Sequence, residues 1–217
     1  MKVNEGGRFD ASLAASTTRS RILDTAAELF WRQGYHATTM RQIAAGVGIK
    51  AASLYNHFES KQELLFRIAY DTMSEMYEAV VASMAAADGP EERLRAFVRA
   101  HTSYCIVERY RARVADELRD LEPHNLEAVI TIRDRYEMVL RQILEELDAG
   151  TGRVSDVAVT ANALATMASQ VSTWYREDGR LGPAEIADLY AGLAVGAALG
   201  GPATVTVSAG PDAPYER

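Results

Sequence analysis

Cysteine, proline and long apolar runs are all scarce in this chain, and each scarcity removes a class of protein. A single cysteine, Cys105, excludes an intramolecular disulfide and any cysteine-rich zinc site. Six prolines and 15 glycines in 217 residues are too few for a collagen-like fibre. The longest apolar stretches are broken by charges or are short and Ala/Gly-rich, like 191–201. They fall below the roughly 18 residues a membrane span needs, so a soluble protein is expected. No charged-then-apolar segment opens the sequence, and a reducing cytoplasm is the expected setting.

Catalytic signatures are missing as well. There is no P-loop, no GxGxxG and no Gly-x-Ser-x-Gly elbow, and the four histidines lie scattered at 36, 57, 101 and 124. His101 and Cys105 stand one helical turn apart, but such spacing is common and Cys105 suits a small apolar packing role. No enzyme activity, cofactor or metal is expected.

What is present is ordinary for a globular chain, with 48% hydrophobic and 24% charged residues. The net charge of −7 is unevenly spread. Residues 19–67 carry seven Lys/Arg against four Asp/Glu, whereas residues 68–217 carry 14 against 24. A small basic module thus joins a larger acidic body; the asymmetry proves nothing alone, but it says where to look for a polyanion partner.

The pattern is helical throughout. Residues 1–17 lack periodicity and read as a flexible arm. Ile22, Ala26, Leu29 and Phe30 define a first helix that stops at Gly34. Thr39 and Gln42 form a capping box that opens a short helix through Ala45, followed by a tight turn at Gly46-Val47-Gly48. A second short helix runs from about Lys50 to Tyr55. Ser60 and Glu63 form another capping box that opens a long helix, about 60–86, with Leu65, Ile68, Thr72, Met76 and Val80 on one face. Beyond it, Pro90, Pro123 and Pro183 sit where first-turn prolines belong. Ser155 can cap a helix running to about Arg176, and the last helix covers about 183–199. The only alternating stretch, Thr204-Val205-Thr206-Val207, falls in a Gly/Pro-rich tail at 200–217 expected to be disordered. The fold class is all-α, with about nine helices.

Two short helices joined by a Gly-containing turn, between two longer helices, form a helix-turn-helix pattern. Such a unit sets the start of its second helix in the DNA major groove while the first braces it across the backbone. Ile43, Ala44, Val47, Leu54 and Phe58 supply the core of the unit. Lys50, Ala51, Ala52, Ser53, Tyr55, Asn56 and His57 remain on or near the outer face. Lysine meets a guanine edge or a phosphate, alanine permits close approach, and serine bonds to either. Thr39 and Lys61 stand at helix N-termini, where exposed N–H groups favour a phosphate.

The run Thr39-x3-Ile43-Ala44-x-Gly46-Val47-x6-Leu54-Tyr55-x-His57-Phe58-x2-Lys61-x2-Leu64 resembles the DNA-binding domain of the TetR family of bacterial transcription regulators. The likeness spans about 19–66, with the DNA-binding domain placed at 18–66 and a ligand-binding and dimerisation domain at 67–199. It implies a homodimer on a palindromic operator, with Tyr55, His57 and Lys61 on phosphates and Lys50–Ser53 reading bases. It also implies that Thr39 holds the backbone. The last two long helices would pack against their mates, with Ala161, Ala165, Ala168, Gly192 and Gly196 permitting close approach.

In the acidic body, Met73, Met76, Tyr77, Phe97, His101, Tyr104, Met138, Met167, Gln170, Val171 and Trp174 fall in segments that could surround a deformable pocket. They equally suit an ordinary core. Trp174-Tyr175-Arg176, followed by Gly179 and Leu181, resembles TetR-type repressors of actinobacterial sterol and fatty-acid catabolism, which respond to acyl-CoA thioesters. This looser likeness implies an apolar slot for an acyl chain. Arg133, Arg135, Arg141 and Arg176 are then candidates for the phosphates of CoA. The competing role for these arginines is helical pairing, for example Arg133 with Glu137 or Arg141 with Glu145. The expected partners are therefore operator DNA, a small apolar or acyl-CoA effector and a second copy of the chain, with no membrane. An inducer without CoA, or a DNA-binding organiser with no ligand at all, are the alternatives.

Overall fold

The computed structural model describes residues 6–116 and 118–200. Among these residues the secondary structure is helical, with no strand. The α-helices are α1 (Gly6–Gln33), α2 (Met40–Val47), α3 (Ala51–Tyr55), α4 (Lys61–Ser83), α5 (Gly89–Val107), α6 (Arg109–Asp116), α7 (Pro123–Thr151), α8 (Val157–Trp174) and α9 (Pro183–Leu199). A 3-10 turn, Leu118–Asp120, links α6 to α7. No described helix is long and apolar enough to cross a membrane.

Helices α1 to α3 form a small unit around Ile22, Ala26, Ile43, Val47, Leu54 and Phe58, all buried. Burial of one large apolar side chain contributes roughly 1.5–3 kcal/mol, so these few residues hold together a unit with little other core. Helix α1 ends at Gly34, whose φ of +87° reverses the chain. Helix α2 ends at Gly48, at φ +79°, where Ile49 N–H reaches the Ala44 carbonyl and Gly48 N–H that of Ala45. This closing pattern satisfies carbonyls the helix would otherwise leave bare.

In the larger body α5 is central, packed most extensively on α9 and also on α4, α7 and α8. Its inward stripe, Leu94, Phe97, His101 and Cys105, is buried. Burial pushes the Cys105 thiol well above its usual range, so it behaves as a small apolar side chain.

Several sequence expectations change. Residues 6–17, read as an arm, continue α1, because Ala11, Leu13, Ala14 and Ala15 favour a helix without showing a periodic face. Gly46 lies inside α2 rather than in the turn. A Cβ there would come within 2.7 Å of the Thr25 Cγ2 on α1, so this glycine allows a close helix crossing. Helix α8 is capped by Asp156, whose carboxylate accepts from Val159 N–H at 2.9 Å, and not by Ser155. Ser60 caps α4, but Glu63 returns to the Glu59 N–H instead of closing a box on Ser60. Helix α6 had no distinct sequence signal. The tail at 201–217, with its alternating Thr204–Val207, lies outside the described residues.

Candidate functional site

The outer face of the helix-turn-helix unit is built from α3 and the ends of its neighbours. Lys50 is the N-cap residue of α3 and is exposed, as are Ala52, Tyr55 and Asn56. Ala51, Ser53 and His57 are half-buried at the same end. The Tyr55 ring leaves over half its surface to solvent, so it does not cover the core. Thr39 is exposed, but its hydroxyl is engaged: it accepts from Gln42 N–H and donates to the Gln42 carboxamide oxygen at 2.8 Å. Thr39 therefore fixes the start of α2.

Lys61 departs from the expected role. Its ammonium donates to the carbonyls of Tyr35 at 2.7 Å, Thr38 at 2.9 Å and His36 at 3.4 Å, and lies 4.3 Å from the centre of the Tyr35 ring. All three ammonium hydrogens have partners, so Lys61 ties the start of α4 to the α1–α2 loop. Two other cations act alike. Arg19 donates to the His57 carbonyl at 2.9 Å while lying over Phe58, and Arg21 donates to the Val47 carbonyl at 2.9 Å. Much of the basic excess of residues 19–67 thus neutralises carbonyls at helix ends and turns. Within that segment, the exposed cations with neither an ion pair nor a hydrogen bond among the described residues are Lys50 and Arg41. Arg41, in the first turn of α2, had not stood out in the sequence.

A cavity of about 290 Å³ lies in the body between α4, α5, α7 and α8. Its buried end is formed by Met73 and Met76 of α4, His101 of α5, Tyr136 and Leu140 of α7, and Ala161 of α8. Its mouth is polar and exposed, with Asp116, Arg133, Asn162, Thr166 and Gln170. Of the expected pocket residues, the cavity therefore brings together Met73, Met76, His101, Arg133 and Gln170. Phe97 and Val171 are fully buried but packed elsewhere, Phe97 against the ring of Tyr136. Met167 and Tyr77 pack against the core outside the cavity. Trp174 is half exposed and stacks loosely on Tyr190, with ring centres 6.2 Å apart, and Met138 faces solvent. Tyr104 also lies outside the cavity. Its hydroxyl donates to Glu75, which Arg111 grips at 3.1 Å with two N–H groups, tying α4 to α5 and α6.

The arginine expectations also separate. Arg141 pairs with Glu137 one turn back, at 2.9 Å, rather than with Glu145. Arg176 makes two bonds of 3.0 Å to Asp178. Arg135 is exposed and lines no part of the cavity, which leaves Arg133 at the mouth.

Inside, His101 is fully buried, and burial pushes its pKa down to about 4, so the ring is neutral at physiological pH. The Tyr136 hydroxyl meets His101 Nδ1, and Nε2 lies 3.0 Å from Ser169 Oγ. Burial raises the Tyr136 phenol well above its ordinary range, so it too is neutral. Tyr136 and Ser169 were missed as site residues. The available signal was His101 itself, a polar side chain on an apolar stripe, which needs buried partners on facing helices.

A helix-turn-helix unit presenting an open lysine-bearing edge, joined by one long helix to a helical body with an internal cavity, defines a DNA-binding regulator. Comparison with known proteins specifies the kind. Residues 22–68 match the bacterial regulatory proteins of the tetR family, and residues 87–198 match the tetracyclin repressor-like C-terminal domain. The HTH-type transcriptional repressor KstR2 of Mycobacterium tuberculosis (strain H37Rv) is 31% identical over 193 residues, covering 83% of this chain and 92% of that protein. The crystal structure of PfmR, a TetR family transcriptional regulator from Thermus thermophilus, is 34% identical, with a TM-score of 0.72 over 83% of this chain and 98% of that one. The structure of AibR in complex with isovaleryl coenzyme A and operator DNA is 28% identical, with a TM-score of 0.70 over 81% and 97%. This chain belongs to the TetR family of DNA-binding transcriptional regulators.

Proposed function

We propose that the chain is a homodimeric repressor released from a palindromic operator when a short-chain acyl-CoA thioester enters the α4–α5–α7–α8 cavity. The observation that carries this reading is the continuity of α4. Its first residue, Lys61, is anchored in the helix-turn-helix unit, and Met73 and Met76 of the same helix form the cavity wall. A ligand that seats better with α4 in one position therefore favours one placement of the recognition helix. Only that difference in affinity does the work; a ligand binding both placements equally would release nothing.

On the DNA side, Lys50, Ala51, Ala52 and Ser53 are assigned to base edges, and Tyr55, Asn56, His57, Thr39 and Arg41 to the backbone. Dimerisation is assigned to the outward faces of α8 and α9, where Val159, Ala163, Trp174, Leu189, Gly192, Leu193 and Gly196 are exposed. Ala161 and Ala168 point into their own subunit and take no part. Such a dimer sets two recognition helices toward major grooves about 34 Å apart.

The effector assignment is supported by the isovaleryl coenzyme A complex of AibR. Cavity size supports it too: about 290 Å³ is at the small end for ligand sites and suits a short acyl chain. Arg133 at the mouth is placed for a phosphate. A ligand-independent DNA organiser would give the cavity no purpose.

The test is fluorescence anisotropy of the purified protein on DNA upstream of its own gene, with a scrambled duplex as control. CoA, isovalerate and a series of acyl-CoA thioesters are then added to the complex. Specific binding undone by short thioesters alone is the expected result. Specific binding that no thioester disturbs would discard this effector class, and no preference over scrambled DNA would discard the assigned recognition edge.

A further inference from the structure

We propose that the buried end of the cavity recognises the uncharged carbonyl oxygen of an acyl group, through a single hydrogen that the Tyr136–His101–Ser169 chain leaves uncommitted. The proposal deepens the effector reading above and rests on that cavity being the effector site.

The three groups hold more hydrogens than their mutual contacts use. The neutral imidazole has one N–H, and the phenol and serine hydroxyl have one O–H each, giving three donors. Two contacts link the three groups, and each uses one hydrogen. One hydrogen is left over whichever tautomer the ring adopts. The more acidic phenol is assigned as donor to Nδ1, so Nε2–H donates to Ser169 Oγ and the serine hydrogen is left over. Ser169 is half-buried, lines the cavity between the buried His101 and the mouth, and its hydroxyl makes no other hydrogen bond among the described residues.

The surroundings decide what can meet that hydrogen. Met73, Met76, Leu140 and Ala161 are apolar and buried, so an alkyl ligand leaves the donor unmatched at a cost in affinity. No cation lies at this buried end: Arg133 is exposed at the mouth, and Arg141 is paired with Glu137. A carboxylate there would be a buried charge without a counterion. The site therefore suits a neutral acceptor attached to a small apolar group, as in a thioester, ester or amide, and rejects both the free acid and the thioether.

Fragments small enough for the cavity test this without CoA. Binding of S-methyl 3-methylbutanethioate, its sulfide counterpart isopentyl methyl sulfide, and isovalerate is measured by ligand-detected NMR on the full chain. The thioester should bind about tenfold more tightly than the sulfide, the worth of one matched donor, and isovalerate should bind weakest at neutral pH. Ser169→Ala should bring thioester and sulfide close to parity, because the next donor then stands a hydrogen-bond length deeper. Tyr136→Phe should keep the preference while lowering the melting temperature. Equal binding of thioester and sulfide by the unmodified protein, or no thioester binding, overturns the proposal, as does a preference that survives Ser169→Ala. If the fragments discriminate as stated but isovaleryl-CoA leaves the DNA complex intact, the CoA effector fails and the carbonyl site stands.

Discussion

Two lysines of the helix-turn-helix unit, close in sequence, have opposite fates. Lys61 gives its ammonium to the carbonyls of Tyr35, His36 and Thr38, whereas Lys50 stands exposed at the start of α3. Lys61→Ala should therefore lower unfolding free energy by about 1–3 kcal/mol in urea titrations, since charge-assisted bonds to these carbonyls are lost. Lys50→Ala should leave stability unchanged. In DNA titrations at several salt concentrations it should reduce the salt slope by about one if it meets a phosphate, and change sequence preference if it meets a base. Sequence could not separate these two residues, because a carbonyl partner belongs to the backbone and leaves no letter. His101 offers a second residue-scale prediction. Its ring binds fewer protons in the folded chain, where the pKa is about 4, than in the unfolded chain, where it is near 6.5. Its contribution to stability is thus complete above about pH 6.5 and is lost as pH falls toward 4, amounting to about 2 kcal/mol by pH 5. Urea midpoints of the native protein and His101→Gln should converge over that interval, and a constant gap would refute the assignment. The carboxylates lining the same cavity, Asp116 and Glu137, are common to both proteins and so cancel in the comparison.

At the scale of elements, the helices were legible wherever one face had to be apolar. The stripes on α1, α4 and α5, the stop at Gly34 and the first-turn prolines follow directly from period and caps. What the period does not carry is how closely two helices approach. Gly46 reads as a turn residue until α1 is placed beside it, with Thr25 where a Cβ would go. Gly46→Ala should cost about 1–3 kcal/mol by overpacking, and pairing it with Thr25→Ser, which removes the clashing methyl, should restore much of the loss. Additive losses in that double-mutant cycle would show that helix propensity, not contact, governs the site. Periodicity likewise marks inward residues without saying which inward residues meet a void. Phe97 and Met76 both point inward on their helices, yet only Met76 meets the cavity.

For the whole molecule, the proposed function rests on a cavity of limited size against the middle of α4, the helix that starts at the helix-turn-helix unit. Affinity across an acyl-CoA series should rise from acetyl to a short branched acyl group. It should fall again for ring systems of steroid size unless the body opens, because about 290 Å³ fills quickly. Displacement of labelled operator by each thioester gives the ranking, and a monotonic increase with size would show that the cavity expands in solution. The basic excess of residues 19–67 remains open to solvent at Lys50 and Arg41. Its magnitude at the surface shrinks once Arg19, Arg21 and Lys61 are tied to backbone carbonyls.

Cys105 gives the molecule a practical property unconnected with regulation. It is the sole cysteine, buried in α5, with a thiol held protonated by its surroundings. Thiol-directed probes therefore meet a silent background. A spin label or fluorophore attached to a cysteine introduced on an exposed position such as Arg119 or Met138 would report from that position alone. The spacing between the two copies of the proposed dimer, with and without DNA or thioester, then becomes a distance that can be read on the unmodified core.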